Sequence, residues 1–253
     1  MSEPSSNESL QDEQEDLDRQ PFMAHLIEFR DRVLRIFISI LVIFAGLFAF
    51  SQDLYLYISE PIRAFLPDSS TMIATEVASP FLTPFKLTLV LSMFAAMPYI
   101  LYQVWAFVAP GLYKREKKIV LPLFFSSVML FYGGMAFAYY VVFPLVFMFF
   151  TSIAPEGISV MPDIRSYLDF VLKLFFAFGL SFEIPIAVVI LSWMGAVEPD
   201  NLAKKRPYVF VLCFILGMLL TPPDIISQTL LAIPMWLLFE IGILFGRLVK
   251  PAE

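Results

Sequence analysis

From Ile119 to Phe150 no side chain carries a charge, and that stretch alone decides which solvent the chain folds in. A helix over it, at ~1.5 Å per residue, is longer than the ~30 Å hydrocarbon core of a bilayer. Similar runs occupy most of the remaining chain. Of its 253 residues 59% are hydrophobic and 16% charged, with 28 Phe and only 10 Gly, against roughly 45–50% apolar and about 25% charged in soluble domains. A soluble globule has too little interior to hide that excess, so the reading is an all-α, polytopic membrane protein.

Apolar runs place six transmembrane helices: about Ile36 to Phe50, Leu87 to Val108 with a bend at Pro98, Ile119 to Phe150, Tyr167 to Met194, and two short C-terminal spans, Tyr208 to Leu220 and the run to Gly246. Thr221-Pro222-Pro223-Asp224 is the turn that separates the last two. The third run is so long that it must tilt, break near Pro144 or protrude. Ser79-Pro80 offers an N-cap followed by Pro at the first helical position, so a short helix is expected to start in the first outer loop, residues 51 to 86. No internal repeat is evident, which disfavours inverted-repeat transporter folds.

Charge is distributed unevenly. Residues 1 to 20 hold seven acids and one base, which accounts for the whole net charge of −6; the remaining 16 bases and 16 acids cancel. The reading is an acidic, disordered cytoplasmic tail over 1–21, a membrane domain over 22–247 and a short cytoplasmic tail over 248–253, with no nucleic-acid partner. The acidic start lacks a basic n-region and predicts no cleaved signal peptide. Arg30, Arg32, Arg35, Lys114, Arg115, Lys117, Lys118, Lys204, Lys205, Arg206, Arg247 and Lys250 all fall on one side of the six spans, so both termini are expected in the cytoplasm. One cysteine, Cys213, and one histidine, His25, leave no disulfide and little chance of a metal site.

Five acids stand out. The segment before the first span, as a helix, puts Phe22, Leu26, Phe29 and Val33 on one stripe that would lie along the cytoplasmic membrane surface. Glu28 with Arg32, and Asp31 with Arg35, stand four apart and pair locally on the plainer reading, each pair worth ~0.3–0.5 kcal/mol. Glu116 is the only acid in Lys114-Arg115-Glu116-Lys117-Lys118. Either it pairs with those neighbours, or it converges with Glu28, in which case two carboxylates could each hold a guanidinium in a bidentate geometry that lysine cannot reproduce. Glu183 lies ~16 Å from the cytoplasmic end of the fourth span, near mid-membrane, where an acid costs a few kcal/mol and marks function by default. Pro185 beside it frees a carbonyl around Ser181. The structural reading of Glu183 is a protonated acid that ties helices together. Asp224 is placed to cap the last helix, and Gly242 with Gly246 form a GxxxG contact signal.

His25-Leu26-Ile27-Glu28-Phe29-Arg30, Pro110-Gly111-Leu112-Tyr113 with Glu116, Phe182-Glu183-Ile184-Pro185 and Leu220-Thr221-Pro222-Pro223-Asp224 with Gln228 together resemble the TatC family, the receptor subunits of the twin-arginine protein translocase. The resemblance spans about Phe22 to Gly246 and departs at Phe29, where the family usually has leucine. It implies binding of twin-arginine signal peptides and export of folded proteins across the bacterial inner membrane, driven by the proton-motive force with no cofactor, no metal and no enzymatic step. It further implies that Glu28 and Glu116 belong to the signal-peptide-binding site with Arg30 and Phe107 in support. Glu183 would contact the small partner subunits TatA and TatB, and Pro61, Asp224 and Gln228 would be functional outer-side residues. Self-association within a hetero-oligomer is expected as well. The alternative is a proton-coupled secondary transporter that uses Glu183. An intramembrane enzyme ranks last, because no HExxH, GxGD or Ser-His pairing is present.

Overall fold

The computed structural model describes residues 6–63, 72–108, 117–152, 161–220 and 225–248. The described segments are helical almost throughout. Their order is α1 (Ser6–Leu47), α2 (Ser51–Arg63), α3 (Ser79–Ala95), α4 (Met97–Val108), α5 (Lys117–Phe137), α6 (Phe143–Ser152), α7 (Ile164–Trp193), α8 (Pro199–Lys204), α9 (Arg206–Leu220) and α10 (Ile225–Leu248). Four helices are long and apolar enough to cross a membrane, five if the bent pair α3–α4 counts as one span, and α9 is a shorter apolar helix.

The first element is longer than the sequence suggested. No Gly or Pro interrupts Ala24 to Ala45, so the ladder is unbroken from there into the apolar run, and α1 takes in Pro21 on its polar side. The helix is assigned from Ser6. The segment around Glu28 is therefore not a separate surface-lying helix; it stands in line with the span. Just past Gly46 the chain tightens to a 3₁₀ turn, Phe48–Phe50, and resumes as α2. The expected outer loop thus begins as helix.

Prolines set the breaks elsewhere. α3 and α4 meet at Ala96 with a 48° bend. Pro98 lacks the N–H that would bond the Phe94 carbonyl, and the Tyr132 hydroxyl donates to that carbonyl instead at 3.0 Å. α3 does start at Ser79 as expected, but its N-cap is Ala78, with no side-chain cap bond. Ahead of Pro144 the long third run passes through a π turn, Ala138–Val142, a wider ladder that absorbs the missing donor while the helix carries on to Ser152. α7 ends in a Schellman turn. Gly195 at φ 70° lets the Gly195 N–H donate to Ser192 O at 3.1 Å and the Ala196 N–H to Leu191 O at 3.0 Å.

The core lies where α3, α5, α6 and α7 meet. Phe94, Phe131, Phe143 and Phe178 are fully buried there, with the rings of Phe94 and Phe175 edge to face at 6.1 Å. Two glycines let α5 and α7 approach closely. A Cβ on Gly134 would fall 2.5 Å from the Phe178 carbonyl oxygen, and one on Gly179 would fall 2.7 Å from the Phe131 ring. Gly242 and Gly246 of α10 are buried, and their faces abut Pro185, Val188 and Ser192 of α7, the close contact that the GxxxG spacing signalled.

Candidate functional site

One polar cluster sits where α1 crosses the end of α4. Arg32 is its centre. Its Nη2 and Nε donate to Glu28 Oε1 at 2.6 and 3.0 Å, so the pairing expected four residues apart is present. The same guanidinium reaches across to α4, with Nη1 donating to Gln103 Oε1 at 3.1 Å and Nη2 to the Ala106 carbonyl at 3.1 Å. Ala106 is in the last turn of α4, where carbonyls have no helical donor, and a cation there complements the helix dipole. Arg32 is therefore an interhelix clamp as well as a partner for Glu28, and its side chain is only 19% exposed.

Both Arg32 bonds to Glu28 fall on one oxygen. Among the described residues no donor reaches Glu28 Oε2. Glu28 lines a depression of about 380 Å³ with Ile27, Asp31, Arg32 and Arg35. Phe107 flanks the cluster: its ring stacks on His25 at 4.2 Å and meets Phe29 at 5.7 Å. Glu28 and Phe107 are thus brought to one place. Arg30 is directed away, with its side chain 67% exposed, and it pairs with Asp31 at 2.8 Å; Asp31 does not pair with Arg35 as its spacing suggested. Glu116 lies outside the described residues. Gln103 and His25 are members that sequence reasoning did not assemble with Glu28 and Arg32; the one signal available was Gln103, an amide inside an otherwise apolar run.

The intramembrane acid has a different setting. The Ser127 hydroxyl of α5 donates to Glu183 Oε2 of α7, while Glu183 Oε1 is buried with no partner among the described residues. Lys173 does not reach it, as its distance along α7 requires. Glu183 does tie helices together, then, but through one oxygen only.

At the other end of the helix bundle a strap joins the segment before α3 to the start of α7. Asp163 caps α7 by accepting from the Arg165 and Ser166 N–H groups at 3.1 and 2.9 Å. It also accepts from the Thr75 N–H and hydroxyl at 3.0 and 2.8 Å. Ile73 bridges Asp163 as a parallel pair, and Arg165 bonds Glu76. The Ser166 and Thr75 backbone N–H groups, in that order, hold the Asp163 carboxyl well below the usual carboxylate range. Of the remaining expected residues, Pro61 falls within α2, and its side chain is outside what the structure describes. Asp224 lies outside the described residues. Gln228 is placed: its Nε2 donates to the Phe214 carbonyl of α9 at 2.7 Å. Glu240 of α10 accepts two bonds of 2.7 Å from the Arg206 guanidinium.

Fold and site together define a multi-pass membrane protein with a half-open carboxylate where α1 meets α4 and an acid held between the apolar helices α5 and α7. The family model described as Sec-independent protein translocase protein (TatC) matches residues 24–234, and the chain belongs to that family. A TatC of Azotobacter chroococcum mcd 1 is 60% identical over 233 residues, which cover 92% of this chain and 91% of that protein. One of Escherichia coli is 59% identical over 230 residues, 91% of this chain and 89% of that protein. A crystal structure described as the twin-arginine translocase receptor TatC superposes with a TM-score of 0.80 at 35% identity, covering 88% of this chain and 98% of that one.

Proposed function

We infer that this chain is the receptor and core subunit of a twin-arginine translocase in the bacterial inner membrane, exporting folded proteins that carry twin-arginine signals. Membership of the TatC family supports that reading over the transporter alternative. We propose six spans with both termini in the cytoplasm, α9 being the fifth, and the proton-motive force as the energy source. The observation that carries the binding mechanism is the half-open Glu28: Arg32 fixes one oxygen, and the other has no donor among the described residues. A signal arginine donating to Oε2 adds a charge-assisted bond to an already oriented carboxylate. Phe107 and His25 supply an apolar wall for the residues that follow it. Glu116 is the second carboxylate of this site in our reading, and Arg30 tunes it from the rim through Asp31.

Glu183 is proposed to meet the polar membrane helices of TatA and TatB. Its unpartnered Oε1 supports this, since a donor on an incoming helix would satisfy it once the side chain turns outward. Pro61, Asp224 and Gln228 are proposed to act at the outer side, and copies of this chain to associate within the hetero-oligomer. The test is binding of a twin-arginine signal peptide against its twin-lysine version by the protein in mild detergent. Arginine-selective binding that falls at least tenfold in both Glu28→Gln and Glu116→Gln is expected. Equal weak binding of the two peptides, unmoved by either substitution, overturns the paired-carboxylate mechanism.

A further inference from the structure

α9 stops at Leu220 after 15 residues, about 22 Å of helix, while α7 runs on past it toward Asp163. Beside that end, α3, α7 and α9 enclose a cavity of about 670 Å³. Its walls are apolar, with Val90, Phe176, Ala177, Leu180, Leu216 and Leu219 among them. Leu180, Leu216 and Leu219 are 55, 41 and 66% exposed, so the mouth faces the bilayer. The charged lining is at one end, with Lys86, Asp169 and Lys173; further along α7 Ser181 is the other polar residue of the wall.

The three charges do not cancel. Lys86 Nζ bonds Asp169 Oδ1 at 2.6 Å, which neutralises the acid. Lys173 has no carboxylate within 4 Å among the described residues. Lys173 is exposed at the charged end of the cavity, and a lysine this close to a span end carries its ammonium to the headgroup region. The cavity thus has one uncompensated cation at headgroup level and hydrocarbon walls below it. That is the division of an anionic phospholipid, phosphate above and acyl chain beneath.

The cavity can take one acyl chain but not a whole partner helix. A helix ~10 Å across that crosses ~30 Å of hydrocarbon fills roughly 2,400 Å³, several times the space available. We propose that this cavity is a specific site for an anionic phospholipid, with its phosphate on Lys173 and one acyl chain between α7 and α9. The lipid completes the wall that the short α9 leaves open.

The test places a reporter at the mouth. Full-length protein carrying Leu180→Trp, a substitution at an exposed position, is titrated in mixed micelles with phosphatidylglycerol bearing brominated acyl chains, and quenching is read against the protein without that tryptophan. Saturable quenching is expected, at least fivefold weaker with brominated phosphatidylcholine. It should be at least fivefold weaker when Lys173→Gln is added and restored by Lys173→Arg. Inorganic phosphate at millimolar concentration should not compete, because the acyl chain holds the lipid. Equal quenching by both lipids, or quenching indifferent to Lys173→Gln, overturns the site as no more than bulk lipid. Competition by inorganic phosphate overturns the acyl-chain half of it. Abolition of quenching when small partner subunits are bound assigns the groove to a protein helix and also overturns the proposal.

Discussion

At the residue scale, single polar contacts decide the behaviour of both acids. Ser127 is the sole hydrogen-bond donor to Glu183 among the described residues. Ser127→Ala leaves a mostly covered carboxyl with no partner, a loss of about 1–3 kcal/mol. Thermal unfolding in detergent should register it, and Glu183→Gln, which keeps an acceptor for Ser127, should cost less. Arg32 holds two helices and one carboxylate at once. Arg32→Gln is expected to loosen α1 from α4 while leaving α7 and α10 packed. Protease cleavage confined to the segment before the first span is the readout, and uniform cleavage throughout would contradict the clamp.

At the element scale, helix ends and close crossings dominate. Asp163 caps α7 and receives the Thr75 side of the strap as well. Because its carboxyl titrates lower when folded than when unfolded, its contribution is fully present above the unfolded value near 3.8. It is lost as pH falls from there through the depressed folded value. Acid below about pH 4 should therefore release the segment before α3 first, visible as amide exchange at residues 72–76, and Asp163→Ala should produce the same release at neutral pH, with a loss of about 1 kcal/mol typical of a cap. Gly134→Ala acts at the α5–α7 crossing. The new methyl meets a backbone carbonyl that cannot rotate aside, so about 1–3 kcal/mol of stability should go, whereas Gly133→Ala, with open space around it, should be nearly silent.

At the scale of the whole molecule, the short α9 is the feature with consequences for transport. Its ~22 Å falls short of the ~30 Å hydrocarbon core, so the membrane beside it must thin or the gap must be filled. If thinning serves export of folded cargo, inserting Leu-Ala-Leu-Leu after Phe210 adds about one turn, roughly 6 Å, and nearly keeps the helix face. Export of a folded fluorescent reporter should then fall severalfold while signal-peptide binding, at the far face, stays unchanged. Loss of binding together with export would mean that the insertion disturbed the whole fold.

The sequence by itself determined the solvent, the helical class, and most helix positions, because apolar run length and proline placement act locally: α7, the end of α9 at Leu220 and the break near Pro98 were all legible. So was the Glu28–Arg32 pair, a consequence of helical spacing. What the tertiary structure alone decided is every partnership between residues far apart in the chain. Arg32 with Gln103 and Ala106, Ser127 with Glu183, Thr75 with Asp163 and Lys86 with Asp169 depend on which helix faces meet. No local spacing encodes that. Asp31 shows the same limit at close range: its i+4 partner was available, yet it pairs with its neighbour Arg30. The reach of a guanidinium depends on which side of the helix is covered, and that is fixed only when α1 packs against α4.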